Sequence, residues 1–119
     1  MSYHDLEVMR VTGEFPCPPM EDVELGTVLS ALADPLRRAV VVQLANGEHG
    51  AERACASFAL PVAKSTRTHH WRVLREAGLI RQRDAGNGTF VRLRRDEIAR
   101  HFPGLLELIV TLDPGTVEA

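Results

Sequence analysis

Residues 63–78 read AKSTRTHHWRVLREAG. At 100° per residue this stretch makes one helix with two unlike faces. Lys64, Ser65, Thr68, His69 and Arg72 fall on one side, extended by Arg75 and Glu76. Thr66, His70, Val73, Leu74 and Ala77 fall on the other, with Trp71 at its edge. The second face is a stripe of the kind that packs on a neighbouring helix. The first offers hydrogen-bond donors and positive charge over two turns, and nothing large and apolar. Such a face, led by the positive end of a helix dipole, suits the major groove and phosphates of DNA.

The flanking sequence gives that helix a context. Ahead of it, the segment around 51–58 is expected to form a short helix, and Leu60-Pro61-Val62 a tight turn. Two helices joined in this way make a helix-turn-helix. Behind it, Gly78 is expected to cap the helix, and two strand-like runs follow at Leu79–Arg83 and Thr89–Arg94. They bracket Asp84-Ala85-Gly86-Asn87-Gly88, a strong hairpin signal. A helix-turn-helix followed by a hairpin is a winged helix, with 84–88 at the tip of the wing. The fold class expected is mainly α with a small β-hairpin: a dimeric winged helix-turn-helix.

Further out, Pro18-Pro19 precede a helix expected to start near Glu21, with Glu21, Asp22 and Glu24 in its first turn and Leu25, Val28, Leu29 and Leu32 as its apolar stripe. Asp34-Pro35 reads as an N-cap followed by proline at the first helical position. The helix it opens buries Leu36, Val40 and Leu44, with Val41 beside them, and stops at Asn46-Gly47. After the wing, helix resumes at Arg95–His101, breaks at Pro103 and restarts through Leu112. Ile98, Phe102, Leu105, Leu106, Ile109 and Leu112 are too many apolar positions for a terminal helix standing alone on a small domain. They are expected to pack on the first helix or on a second subunit. The domain plan is an arm at 1–19, a DNA-binding and dimerisation domain at 20–112, and a tail at 113–119. In the arm, Leu6, Val8, Met9 and Val11 are available to a partner subunit.

Charge supports a nucleic-acid partner in spite of the overall balance of −2. Residues 64–100 hold ten Lys and Arg against four Asp and Glu, a local +6, whereas 1–63 carry −5 and 101–119 carry −3. The basic block coincides with the polar helix face and the wing. No apolar run approaches the roughly 20 residues of a membrane span, and the N-terminus lacks a basic-then-apolar leader. A cytoplasmic protein without a membrane partner is expected.

The run STRTHHWRVLREAGLIRQRDAGNGTFVRLR resembles the ArsR-type family of bacterial winged-helix repressors. The family pattern Ser-x-x-Ser/Thr-x-His-Leu-x-x-Leu-x-x-Ala-Gly-Leu is met by Ser65, Thr68, His70, Leu74, Ala77, Gly78 and Leu79, with Trp71 in place of the leucine. The segment ALADPLRRAVVVQLA, residues 31–45, is similar to the family's second helix. The two motifs place the resemblance over roughly 21–112. It implies a homodimer joined by its first and last helices, binding a palindromic double-stranded operator as a repressor. Its recognition helices would lie in successive major grooves about 34 Å apart. Arg67 departs from the pattern, standing where the family has a small or apolar residue.

The DNA-contact candidates are Lys64, Ser65 and Thr66 for phosphate, Thr68, His69 and Arg72 for base edges, and Arg83 and Asn87 in the wing. Arg81, Arg92 and Arg94 are further wing cations, although strand alternation keeps the four arginines from facing DNA equally. His70 is expected to pack or hydrogen-bond inside, and Trp71 and Leu74 to be core. Neither a cofactor nor a closed metal site is expected. Cys55-Ala56-Ser57 lacks one thiol of the family's Cys-x-Cys, and Asp96 and His101 are only part of its other metal site. Cys17 and Cys55 stand as effector candidates for a thiol-based metalloid or redox sensor working across a dimer. A winged helix serving only dimerisation or protein contact is the alternative. An enzyme is disfavoured, because no base–nucleophile–orienter set and no phosphate-cradling glycine loop occurs.

Overall fold

The computed structural model describes residues 13–117. Leu6, Val8, Met9 and Val11 of the arm therefore lie outside the described residues. Five α-helices are seen: α1 Leu25–Ala33, α2 Pro35–Asn46, α3 Lys64–Glu76, α4 Arg95–His101 and α5 Leu105–Leu112. Three short strands, β1 Arg53–Ala54, β2 Ile80–Asp84 and β3 Thr89–Leu93, form an antiparallel sheet in the order β1-β3-β2.

Local chemistry fixes most boundaries. Asp34 caps α2 as expected, its Oδ1 accepting from Leu36 N at 2.8 Å and Arg37 N at 3.1 Å. α3 ends as expected at Gly78, where Leu79 N reaches Leu74 O and Gly78 N reaches Arg75 O. These are the paired bonds of a Schellman motif, with Leu74 and Leu79 fully buried beside it. Gly78 has φ +80°, and a Cβ there would run into Val23.

That contact explains one departure from expectation. No continuous helix starts at Glu21. Met20–Asp22 form a single 3-10 turn, Val23 is extended and packs on Gly78, and α1 begins only at Leu25. A second departure precedes α3. Instead of a helix over 51–58 the chain makes β1 and then a 3-10 turn, Cys55–Phe58, ended by Ala59 in the left-handed region. Ala54 pairs with Phe90 and Arg53 with Val91, so the expected hairpin gains a third strand. Arg53 Nε also donates to Ser57 Oγ at 2.8 Å, and its guanidinium lies 3.9 Å from the Phe58 ring centroid.

The core gathers Val28 and Leu32 from α1, Val40, Val41 and Leu44 from α2, and Trp71 and Leu74 from α3. Leu79, Ile80, Val91, Ile98 and Leu106 close it. Leu36, expected in the core, is only half-buried, while Ala39 and Val42 are buried. Leu25 and Leu29, on the same expected stripe as Val28, are about half exposed. Arg94 follows β3 into the interior, where Glu97 accepts from it through both carboxylate oxygens at 3.0 and 2.8 Å. Residues 113–117 lie along α2: Gln43 Nε2 donates to Gly115 O at 2.7 Å and Asp113 pairs with Arg38 at 2.6 Å.

Candidate nucleic-acid interface

α3 presents the polar face that its sequence describes. Lys64, Ser65, Thr68, His69 and Arg72 are all exposed. Ala63, at the N-cap, has no side chain to accept from the first-turn amides, so those donors remain open to an anion. Thr68 Oγ1 donates to Lys64 O at 3.1 Å, leaving the hydroxyl oxygen's lone pairs outward. Arg72 Nη2 lies 3.2 Å from Nδ1 of His69, a contact that steadies both long side chains on the same face.

Two positions differ from the simple helical wheel. Thr66, placed on the inner face by spacing, is exposed and joins Lys64 and Ser65 at the N-terminal turn. Arg75, placed on the outer face, turns to the sheet. Its Nη1 donates to Gln82 Oε1 at 2.6 Å, and its guanidinium stands 5.0 Å from the Phe15 ring. A long side chain at the end of a helix follows the nearest acceptor rather than its own wheel angle. His70 points inward and is buried, with Nδ1 3.2 Å from Arg37 Nη1. Trp71 and Leu74 are core, with Trp71 tilted against Phe58 at 5.4 Å between centroids.

In the wing, Asp84 Oδ1 accepts from Gly86 N at 2.8 Å and Ala85 N donates to Gly88 O, so Asn87 projects from the tip and is exposed. The arginines divide as strand alternation requires. Arg81 and Arg83 lie on the outer face of β2, and Ile80 and Gln82 lie on the core face. Arg83 is held in a two-bond pair with Glu52 at 2.7 and 3.0 Å, and this bond lowers the carboxyl's pKa below its usual range. Arg81 and Arg94 share Glu97, whose carboxyl is lowered to about 2, chiefly by its hydrogen bonds from Arg94. Arg95 caps the carbonyls of Leu44 and Ala45 at the end of α2. Arg92 is exposed and has no such acceptor among the described residues. Much of the +6 block therefore holds the fold together, and the cations left facing outward are chiefly Lys64, Arg72, Arg92 and Arg100.

Arg67 donates from Nη1 to Val62 O at 2.7 Å, so it closes the turn before α3. Cys17 and Cys55 lie against neighbouring residues of β2. Arg81 Nη1 is 3.3 Å from Cys17 Sγ, and Gln82 Nε2 is 3.9 Å from Cys55 Sγ. The two thiols of one chain thus meet different side chains of β2. Burial pushes the Cys55 thiol up, which keeps it protonated and weakly nucleophilic at neutral pH. Among the described residues no three His, Cys, Asp or Glu side chains are grouped to hold a metal ion.

The sequence did not single out Glu52, Glu97 or the reach of Arg37 and Arg38. The count of acids in 64–100 includes Glu97, but nothing local pointed to Glu52 or to the arginines.

No family model matches the chain. It is 36% identical over 90 residues to the biofilm growth-associated repressor of Agrobacterium fabrum, covering 74% of this chain and 75% of that protein. It is 32% identical over 84 residues to the uncharacterized HTH-type transcriptional regulator YceK of Bacillus subtilis, covering 69% and 82%. Among solved structures, the transcriptional repressor BigR from Xylella fastidiosa has a TM-score of 0.56 at 21% identity, covering 94% of this chain and 96% of that one. An ArsR-like transcriptional regulator from Rhodococcus sp. RHA1 has a TM-score of 0.52 at 24% identity, covering 76% and 83%. These two structural likenesses are of fold.

Proposed function

The chain belongs to the ArsR-type family of winged-helix transcriptional regulators, and from that premise we propose that it is a homodimeric repressor reading a two-fold symmetric operator. It is a DNA-binding transcriptional regulator and not an enzyme. The observation that carries the proposal is the exposed, acid-free run of Lys64, Ser65, Thr66, Thr68, His69 and Arg72 on α3, with open amides at its start.

In this reading Lys64, Ser65 and Thr66 meet phosphate, and Thr68, His69 and Arg72 enter the major groove. Asn87 at the wing tip and Arg83 on its outer face reach the flanking backbone. Arg83 makes that contact only by leaving Glu52, so its net contribution is smaller than that of an unpaired arginine.

Dimerisation is assigned to α1 and α5. Leu25, Leu29, Leu108 and Leu112 are the large apolar side chains exposed among the described residues, and all four stand on these two helices. Leu25 and Leu108 border one groove with Phe102 and Leu105. Covering such a surface with a second copy removes it from water and sets two α3 helices in two-fold relation. None of the described helices is long and apolar enough to cross a membrane; the cytoplasmic site of action belongs to the proposed role on DNA.

Selection of bound fragments from the host genome, followed by mobility-shift titration over a salt series, tests the proposal. A recovered palindrome bound with a steep salt dependence is expected. Binding no tighter to selected than to scrambled duplex would overturn it, and would favour a winged helix used for protein contact alone.

A further inference from the structure

Beside the first two turns of α3 lies a groove of about 410 Å³, bounded by the Cys55–Phe58 turn, the turn before α3, and Thr89 of β3. That volume is in the range of small-ligand sites. Its floor is apolar: Leu60, Trp71 and Cys55 are each less than a tenth exposed. Cys55 adds no charge, since its thiol is held protonated by burial. The rim is cationic. Lys64 and Arg67 stand over the groove, and no Asp or Glu lines it.

Arg67 is fixed at one end only, through Nη1 to Val62 O at 2.7 Å. The remainder of its fork has no hydrogen-bond partner among the described residues, so one guanidinium is both positioned and available. Ala59 on the rim is the only described non-glycine residue with positive φ, at +50°. That conformation is unfavourable for an L-residue, and here it ends the Cys55–Phe58 turn at the edge of the groove that Trp71 also lines.

An apolar floor with a cationic rim and no competing carboxylate fits one chemistry. We propose that this groove binds a small carboxylate with an apolar body, and that its occupancy competes with DNA. The competition rests on the DNA reading above: Lys64 and Thr68 line the groove and also stand on the face assigned to DNA. A carboxylate held by Lys64 and Arg67 removes positive charge from the start of α3 and occupies space that the phosphate backbone needs. By linkage, the carboxylate then weakens DNA binding by the factor by which DNA weakens carboxylate binding.

Trp71 is the only tryptophan in the chain, so its emission reports on the groove directly. The full-length protein is titrated with benzoate as the probe, with benzyl alcohol as its uncharged counterpart. A saturable change with benzoate is expected, at least about tenfold weaker in Arg67→Met and largely kept in Arg67→Lys. Ala56→Leu, at an exposed residue lining the groove, fills the site without touching the core and should abolish the response. If Arg67→Met fails to fold by circular dichroism, Ala56→Leu carries the comparison. On the same samples, saturating benzoate should lower operator affinity at least about fivefold.

A response that does not saturate, or that is the same for benzyl alcohol or in the Ala56→Leu protein, overturns the site. Saturable benzoate binding with unchanged operator affinity overturns the competition. Protein that binds benzoate but shows no sequence preference for DNA even without it refutes the operator reading instead.

Discussion

Arg37 Nη1 lies 3.2 Å from Nδ1 of His70, joining the first turn of α2 to the inner face of α3. The same guanidinium donates to Ala31 O at 2.8 Å and Ser30 O at 3.3 Å, closing the end of α1. Its neighbour Arg38 donates to Leu32 O and reaches the other way, to Asp113 after α5. Two adjacent arginines thus tie the helices assigned to dimerisation to the helix assigned to DNA.

An arginine can only donate, so Nδ1 of His70 accepts and the neutral ring carries its proton on Nε2. Burial lowers the pKa of His70 below its ordinary 6.5; Asp34 opposes that shift, while Arg37 and His69 add to it. The unfolded chain therefore takes up this proton more readily than the folded one. The resulting stability is fully present above pH 6.5 and is lost as pH falls from there through the folded value. Urea midpoints for the parent should drop between neutral pH and pH 5. His70→Asn, which keeps an acceptor near the Nδ1 position without titrating, should show a flatter profile. Equal slopes for the two proteins would refute the assignment.

Gly78 and Ala59 make a matched pair in the left-handed region, at φ +80° and +50°. Gly78→Ala adds a Cβ in a conformation that disfavours it and drives that atom into Val23. A loss of about 1–3 kcal/mol is expected. Ala59→Gly removes the same kind of strain at an exposed site and, after the entropy of glycine, should gain about 0.5–1 kcal/mol. Chemical denaturation measures both, and shifts of the same sign would contradict the backbone argument.

Lys64 and Arg72 are exposed, so replacing either with alanine should leave stability within about 0.5 kcal/mol. Their effects on DNA should differ. Lys64→Ala weakens all sequences alike and reduces the slope of log affinity against log salt by about 0.9 per half-site, about 1.8 for the dimer, whereas Arg72→Ala costs about 1–3 kcal/mol per half-site on the operator and narrows discrimination. Glu52→Gln releases Arg83 and should tighten binding at low salt. Anisotropy titrations on operator and scrambled duplexes separate these outcomes; indifference to both alanine changes would remove α3 from the interface.

Leu112 is 74% exposed and Leu29 50% exposed on the two helices assigned to the dimer. Leu112→Glu or Leu29→Glu should preserve the helical spectrum yet shift sedimentation from dimer to monomer. Operator affinity should fall with it, because two linked half-site contacts become one. A parent protein that sediments as a monomer at micromolar concentration would refute the proposed interface.

The amino-acid sequence by itself determined the features that depend on neighbours within a few residues. The Asp34-Pro35 start of α2, the amphipathic period of α3, its stop at Gly78, the Asn-Gly hairpin and the break at Pro103 all follow from local backbone and side-chain chemistry, and all are found. Tertiary structure decided whatever depends on partners distant in the chain. β1 is two residues long and exists because β3 offers an edge to pair with. α1 starts late because Val23 must lie flat against Gly78, 55 residues away. The basic block divides between structure and surface according to where Glu52 and Glu97 come to rest. Ion pairs are set by three-dimensional proximity, and counting charges along the chain gives their sum without showing which of them face outward.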